Sequence, residues 1–303
     1  MKSRFILCLS LVMNMVTSAD SPWQWKRDGN QSIELHGDKG PVARFLVNPK
    51  PADPHFDILA TPDGRNLVWV APPDHVWHYG HWFSWKLING VNFWETDRKT
   101  GKSRGVAEVL DPKITIQDTR ATVSFRRHYS LPGGGQPIME DHITVTISTP
   151  SGKSGPVVDW HFTTTALADL TLDRTPLPGE PGGKSYGGYC GFSWRGAKDF
   201  KDVVFRDSEG RKGMDIHRQH AAWVDARGTI GGKPAGITIV SHPENPGHPA
   251  SWFIVNTPKL PFWYANPSLV QPKPISLKKG QSLKHRYRIV THNGSLKPES
   301  LSW

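Results

Sequence analysis

The sequence predicts an all-β fold, a large antiparallel β-sandwich, on three observations. The 303 residues include 29 glycines, 26 prolines and 13 tryptophans. Breakers at that density limit long helices, and large aromatics supply the burial that disordered chains lack. Apolar residues recur at every second position in short runs, the period of a strand with one buried face. Beyond the first 19 residues, no segment shows the 3.6-residue period of an amphipathic helix.

In chain order, the alternating runs are 32–36, 42–47, 66–70, 113–117, 121–129 and 138–149. The runs 157–165, 203–206, 236–241, 252–256 and 283–291 complete the series. The last is the cleanest: Leu283, His285, Tyr287 and Ile289 alternate with Lys284, Arg286 and Arg288. Turn signals separate the runs at Pro132-Gly133-Gly134-Gly135, Ser151-Gly152, Gly231-Gly232 and Asn293-Gly294. Residues 173–188 hold Pro176, Pro178 and Pro181. Strands of like character flank them, so they read as a functional loop over one sandwich rather than a linker.

Residues 1–19 read as a secretory signal peptide. Lys2 and Arg4 precede an apolar stretch from Phe5 to Val16, and Thr17-Ser18-Ala19 suits cleavage. The stretch is shorter than the roughly 20 residues that span a bilayer. The expectation is a secreted or periplasmic protein, one domain over residues 20–303, with no transmembrane segment after cleavage. Cys8 leaves with the leader and Cys190 remains, so neither an internal disulfide nor a four-cysteine zinc site is available. The formal charge is +10. The positives are scattered and form no run of five or six, which reads as a solvated surface. No nucleic-acid partner is expected.

The segment from His75 to Glu95 carries the strongest signal. Asn89-Gly90 is the two-residue turn of a tight hairpin. That register sets Ile88 opposite Val91, Trp85 opposite Trp94 and Ser84 opposite Glu95. One face, with His81, Phe83, Trp85, Leu87, Trp94 and Thr96, reads as core. The other carries Trp82, Ser84, Lys86, Phe93, Glu95 and Asp97, with Lys86 and Glu95 as diagonal neighbours. Such a face suits a cleft lining, although spacing alone favours a plain solvated sheet face. His75, His78 and His81 recur at intervals of three and are candidate ligands for a divalent metal, or acid–base groups. The alternative is chance clustering among 14 histidines.

Three further constellations follow. His242 to Trp252 is a strand end running into a proline-rich polar loop, with Asn245 able to donate and accept. It could also be a rigid connector. Ser185 to Arg195 combines glycines that permit close backbone approach with a cation able to hold an anion or a sugar hydroxyl. Trp223 with Asp225 is the third. Cys190 reads as a small buried residue.

In their order, these motifs resemble a bacterial family of secreted proteins labelled "methane oxygenase PmoA-like". The matching stretches are the histidine-rich segment into Phe83–Gly90 and Phe93-Trp94, then Tyr186-Gly187-Gly188 with Arg195. His242–Pro246 before Trp252, and Tyr287–Val290 leading to His292-Asn293-Gly294, complete the match. The family pattern has adjacent histidines where this chain has His78-Tyr79-Gly80-His81. The resemblance implies a β-sandwich of the galactose-mutarotase supersandwich kind and work on carbohydrate.

The resulting expectation is an exported carbohydrate-active enzyme, a glycoside hydrolase or lyase. His75, His78, Glu95 and His242 are its catalytic candidates. Trp82, Trp85, Lys86, Trp94, Arg195, Asp225, Asn245 and Trp252 are candidates for binding substrate. A metal on His75, His78 and His81 is an optional part. The alternative is a non-catalytic glycan-binding or cell-surface scaffold protein.

Overall fold

The computed structural model describes residues 14–16, 21–50, 52–152, 154–294, 296–301 and 303. Most of residues 1–19, the expected signal peptide, lies outside the described residues. Asn14–Val16 within it pairs with Gln24–Asp28 at a sheet edge.

The fold is all-β. Among the described residues the only helical pieces are two 3₁₀ turns, Gly213–Ile216 and Pro298–Ser300. A ten-stranded sheet and an eight-stranded sheet face one another, and a four-stranded sheet adjoins them. The middle of the ten-stranded sheet runs His55–Leu59, His81–Ser84, Gly191–Arg195, Phe262–Pro267 and Ala250–Thr257. The eight-stranded sheet runs Lys201–Asp207, Trp223–Ile230, Lys233–Ser241, Ser282–His292, Ser154–Ala166, Met139–Ser148, Arg120–Ser130 and Val106–Gln117. Its pairings are antiparallel, and the neighbours Arg120–Ser130 and Met139–Ser148 hold one register throughout. The small sheet is Ile275–Leu277, Leu170–Asp173, Leu87–Ile88 and Val91–Asn92.

Strand alternation divides the side chains of the larger sheet between two faces. His81, Phe83, Phe192, Trp194, Trp263, Ala265, Trp252 and Ile254 point into the sandwich, all buried. Their rings meet the other sheet directly: Phe83 lies 4.3 Å from Phe162, His81 5.4 Å from Trp160, and Phe192 4.3 Å from Tyr287. The alternate residues Trp82, Phe253, Phe262 and Tyr264 belong to a second aromatic cluster on the outer face, together with Tyr79 and Trp94. That outer face carries the candidate site.

Two local expectations are corrected. Residues 66–70 form only isolated bridges at Asn66, Val68 and Val70, not a strand. Asn66 instead turns its side chain on the backbone, with Oδ1 accepting from Leu59 N and Nδ2 donating to Asp57 O. The hairpin at Asn89-Gly90 pairs Ile88 with Val91 and Leu87 with Asn92, and its ladder stops there. Asn92 breaks it: its Oδ1 accepts from the backbone N–H of Trp94 and Glu95. The faces beyond are exchanged. Phe93 enters the main core against Tyr129, while Trp94 joins Trp82 on the outer face.

Candidate functional site

The outer face of the larger sheet opens into a cleft of about 470 Å³. Trp77, Tyr186, Tyr189, Phe253, Val255, Phe262 and Tyr264 wall it, with His75, His78 and Glu95 as its titratable groups apart from the tyrosines. Phe253 and Val255 come from one strand and Phe262 and Tyr264 from its neighbour, two residues apart in each case. Tyr186 and Tyr189 come from the loop that follows Leu170–Asp173 and complete the aromatic lining.

Glu95 is held on both oxygens. Oε1 accepts from Tyr189 Oη at 2.6 Å. Oε2 accepts from Lys86 Nζ and from Asn92 Nδ2. Burial pushes the Glu95 carboxyl up, but the Lys86 ammonium and the two neutral donors outweigh it, so it lies below the usual glutamate range. Glu95 is therefore ionised at neutral pH. Burial lowers the Lys86 ammonium, and Glu95 offsets only part of that. Burial raises the Tyr189 phenol, with Glu95 adding to it, which keeps the phenol a donor.

His75 stands in a relay of charge. Its Nδ1 lies 2.9 Å from Asp74 Oδ2, the same oxygen that Arg195 Nη2 reaches at 2.9 Å. Burial raises the Asp74 carboxyl, but His75 and Arg195 together bring it below the ordinary aspartate range. Arg195 is 1% exposed and sits 3.7 Å from the Phe262 ring centre. It positions Asp74 from behind the cleft wall and does not line the cleft. His78 stacks between His75 at 4.6 Å and Tyr264 at 5.3 Å. Burial first, then the charges of His75 and Arg195, depress the His78 imidazole strongly, so it is neutral.

The structure gathers some predicted site residues and scatters others. His75, His78, Glu95, Lys86 and Arg195 belong to the cleft or to the layer just behind it. His81 does not: its ring faces the core against Trp160 and Phe192, and Nδ1 lies 2.7 Å from the Ser193 carbonyl oxygen. Burial takes its pKa to about 3. The three histidines thus do not converge as a metal triad. Among the described residues, no group of three or more His, Cys, Asp or Glu side chains is placed to hold a metal.

Trp82 and Trp94 pack against each other behind the cleft, at 1% and 2% exposure, and neither lines it. Trp85 and Trp252 are core residues, with indole N–H groups donating to Asp141 Oδ2 and to the Ala221 carbonyl. His242 packs on Trp303 in a distant loop, where Asn245 braces the backbone of Arg286. Asp225 is fully buried in the eight-stranded sheet with His292, Thr238 and Arg227. Burial raises its carboxyl, yet His292 and Arg227 leave it below the usual range.

None of the rings that wall the cleft is among the binding residues the sequence predicts. Trp77, Tyr186, Tyr189 and Phe253 lie inside or beside the segments chosen above. Phe262 and Tyr264 lie in Pro261-Phe-Trp-Tyr264, whose alternation puts Trp263 in the core and its neighbours outside.

No curated protein matches the chain. Among solved structures, Slr1438 from Synechocystis sp. PCC 6803 aligns over 97% of this chain and 100% of its own, with TM-score 0.41 and 6% identity. A galactose mutarotase-like protein from Lactobacillus casei ATCC 334 aligns over 92% and 100%, with TM-score 0.37 and 11% identity. A galactose mutarotase related enzyme from Lactobacillus acidophilus aligns over 92% and 97%, with TM-score 0.26 and 9% identity. Scores this low carry no residue role over to this chain. One family model matches residues 32–302, and the chain belongs to that family, the family of unknown function DUF6807.

Proposed function

We propose that the protein is an exported carbohydrate-active enzyme, a glycoside hydrolase, whose outer cleft holds a sugar among aromatic side chains. One observation carries this reading: an ionised, half-buried carboxylate and an aspartate-supported imidazole line the same aromatic-walled cleft. Aromatic rings offer flat apolar faces to the C–H surface of a sugar, and the few polar groups fix its orientation. Glu95 accepts a proton from water as the water attacks. His75, oriented at Nδ1 by Asp74, donates one to the leaving oxygen, so the two transfers balance. Positioned acid–base groups of this kind contribute roughly 10²–10⁴ in rate. No Lys or Arg lines the cleft among the described residues. That favours a neutral glycoside, and it disfavours a lyase, which needs an acidic sugar.

A second reading, a glycan-binding protein without catalysis, is favoured by the same carboxylate. Glu95 already receives three donors, and a carboxylate so occupied is a weak base. Incubation with neutral oligosaccharides, followed by assay of new reducing ends, separates the two. The hydrolase releases product, and His75→Ala and Glu95→Gln, each verified as folded by near-UV circular dichroism, lower turnover by 10²-fold or more. Saturable binding with no product after long incubation supports the second reading. Turnover untouched by both substitutions would show that the roles are wrongly assigned.

A further inference from the structure

A second cleft, also of about 470 Å³, lies on the other side of the wall formed by residues 94–96. Glu95 lines the first cleft, while Trp94 and Thr96 line the second. The second is otherwise built from the turn holding Asn48, Lys50 and Asp53, from Tyr79 and Phe93, and from residues 101–103 and 105–109. Arg127 reaches it from the neighbouring strand.

Its character is the reverse of the first. Arg127 is 2% exposed. Its guanidinium pairs with Asp53, donates to the Phe83 carbonyl at 3.3 Å and lies 5.1 Å from the Tyr129 ring centre. Nε of the same group has no partner among the described residues. The indole N–H of Trp94, itself 2% exposed, has none either. Both of these unpartnered donors belong to side chains on the lining of this one cleft, where acceptor oxygens of a ligand would satisfy them. Lys50 and Lys102, both exposed, add two cations to the lining. Against them stand Asp53, already committed to Arg127, and the exposed Glu108.

We propose that this second cleft is a binding site for a small carboxylate-bearing ligand, a sugar acid or another organic acid, held by Arg127, Trp94, Lys50 and Lys102. Acceptor oxygens would supply what Nε of Arg127 and the Trp94 indole lack, and the two lysines attract the charge. A neutral sugar supplies the acceptors without the charge and binds more weakly. The site is independent of the chemistry proposed for the first cleft.

Calorimetric titration of the full chain with galacturonate, citrate and galactose tests this. One or both acids saturate at one equivalent, and galactose binds at least tenfold more weakly. Galacturonate and citrate distinguish a sugar acid from a general organic acid. Lys50→Glu with Lys102→Glu, at exposed positions that the fold does not need, weakens the acid by about tenfold or more. Arg127→Met abolishes binding, but it also strands Asp53, so the lysine pair is the decisive variant. Thr96→Phe, which fills the cleft, also blocks binding, and His75→Ala in the first cleft leaves it unchanged. In a spectrum of ¹⁵N-labelled protein, the Trp94 indole signal, assigned by Trp94→Phe, moves on saturation with acid. Acids that bind no better than galactose would overturn the proposal. So would affinity untouched by the lysine reversal, or binding lost with His75→Ala.

Discussion

In Lys86 and Glu95 the proposed catalytic role and a structural role meet in one pair. The Lys86 side chain is 7% exposed and that of Glu95 24%. An isolated ammonium at that depth is costly, so Glu95 is the condition for Lys86 being charged there at all. Glu95→Gln keeps the shape and one acceptor oxygen for Lys86 and Asn92, with its NH2 turned on the Tyr189 oxygen so that this bond reverses, but it leaves Lys86 without its counter-charge. The expected cost is about 3 kcal/mol, below the largest buried-pair values because Glu95 is partly solvated. Lys86→Met made together with Glu95→Gln removes both charges and recovers most of that loss. Urea unfolding of wild type, both single variants and the double variant at pH 7 gives the coupling. Strictly additive losses would mean that the pair contributes no electrostatic stabilisation, and that Glu95 is held for other reasons.

The hairpin turn shows what could be read locally and what could not. Asn89 and Gly90 have φ of 49° and 74°, the left-handed pair of a type I′ turn, and the dipeptide announces it. The turn fixed the Ile88–Val91 pairing, and two residues later the register read from it fails. Nothing in the alternation of Phe93 and Trp94 reveals that Asn92 caps the chain and exchanges their faces. That decision is made by a side chain bonding to backbone, which outweighs strand period over so short a ladder. The run 66–70 fails in the same way, through Asn66. The long strands 120–130, 139–148 and 282–292 were legible because ten or more residues with one buried face leave one register. Gly90→Ala tests how far the turn governs the site. Nothing lies within 4 Å of the added Cβ, so only the left-handed backbone is strained, at a cost of about 1 kcal/mol. The Tyr189–Glu95 hydrogen bond is expected to survive, because Asn92 and not the turn orients Glu95. Loss of ligand binding in a folded Gly90→Ala protein would place that control in the turn instead.

At the scale of the whole molecule, the cleft was only half legible, because the strand order that assembles it is not local. Residues 81–84, 191–195, 262–267 and 250–257 become neighbours through the packing of distant segments, and their outward residues make the wall. The same packing buries histidines. His81 and His285 are fully enclosed, and His285 lies between aromatic rings with Phe162 stacked 4.4 Å away and neither nitrogen partnered among the described residues. Burial takes each to about 3. In the unfolded chain both titrate near 6.5. Between those limits the unfolded state binds more protons, so stability falls as pH falls from about 6.5 towards 3, and is flat above that. Each such histidine contributes a slope of about 1.4 kcal/mol per pH unit. The carboxylates held below their usual range, Glu95 and Asp225, act in the same direction but only nearer pH 4. Asp141, whose carboxyl burial raises, opposes them. His285→Phe isolates one share of the slope. At pH 7 it removes two buried, unpartnered ring nitrogens and is expected to leave stability unchanged or raised by about 1 kcal/mol, with the larger ring limiting the gain. Its advantage over wild type should then grow by about 2–3 kcal/mol on going from pH 6.5 to pH 4.5. Parallel urea titrations of the two proteins across that range measure it. A constant difference would mean that His285 takes up its proton within the folded core.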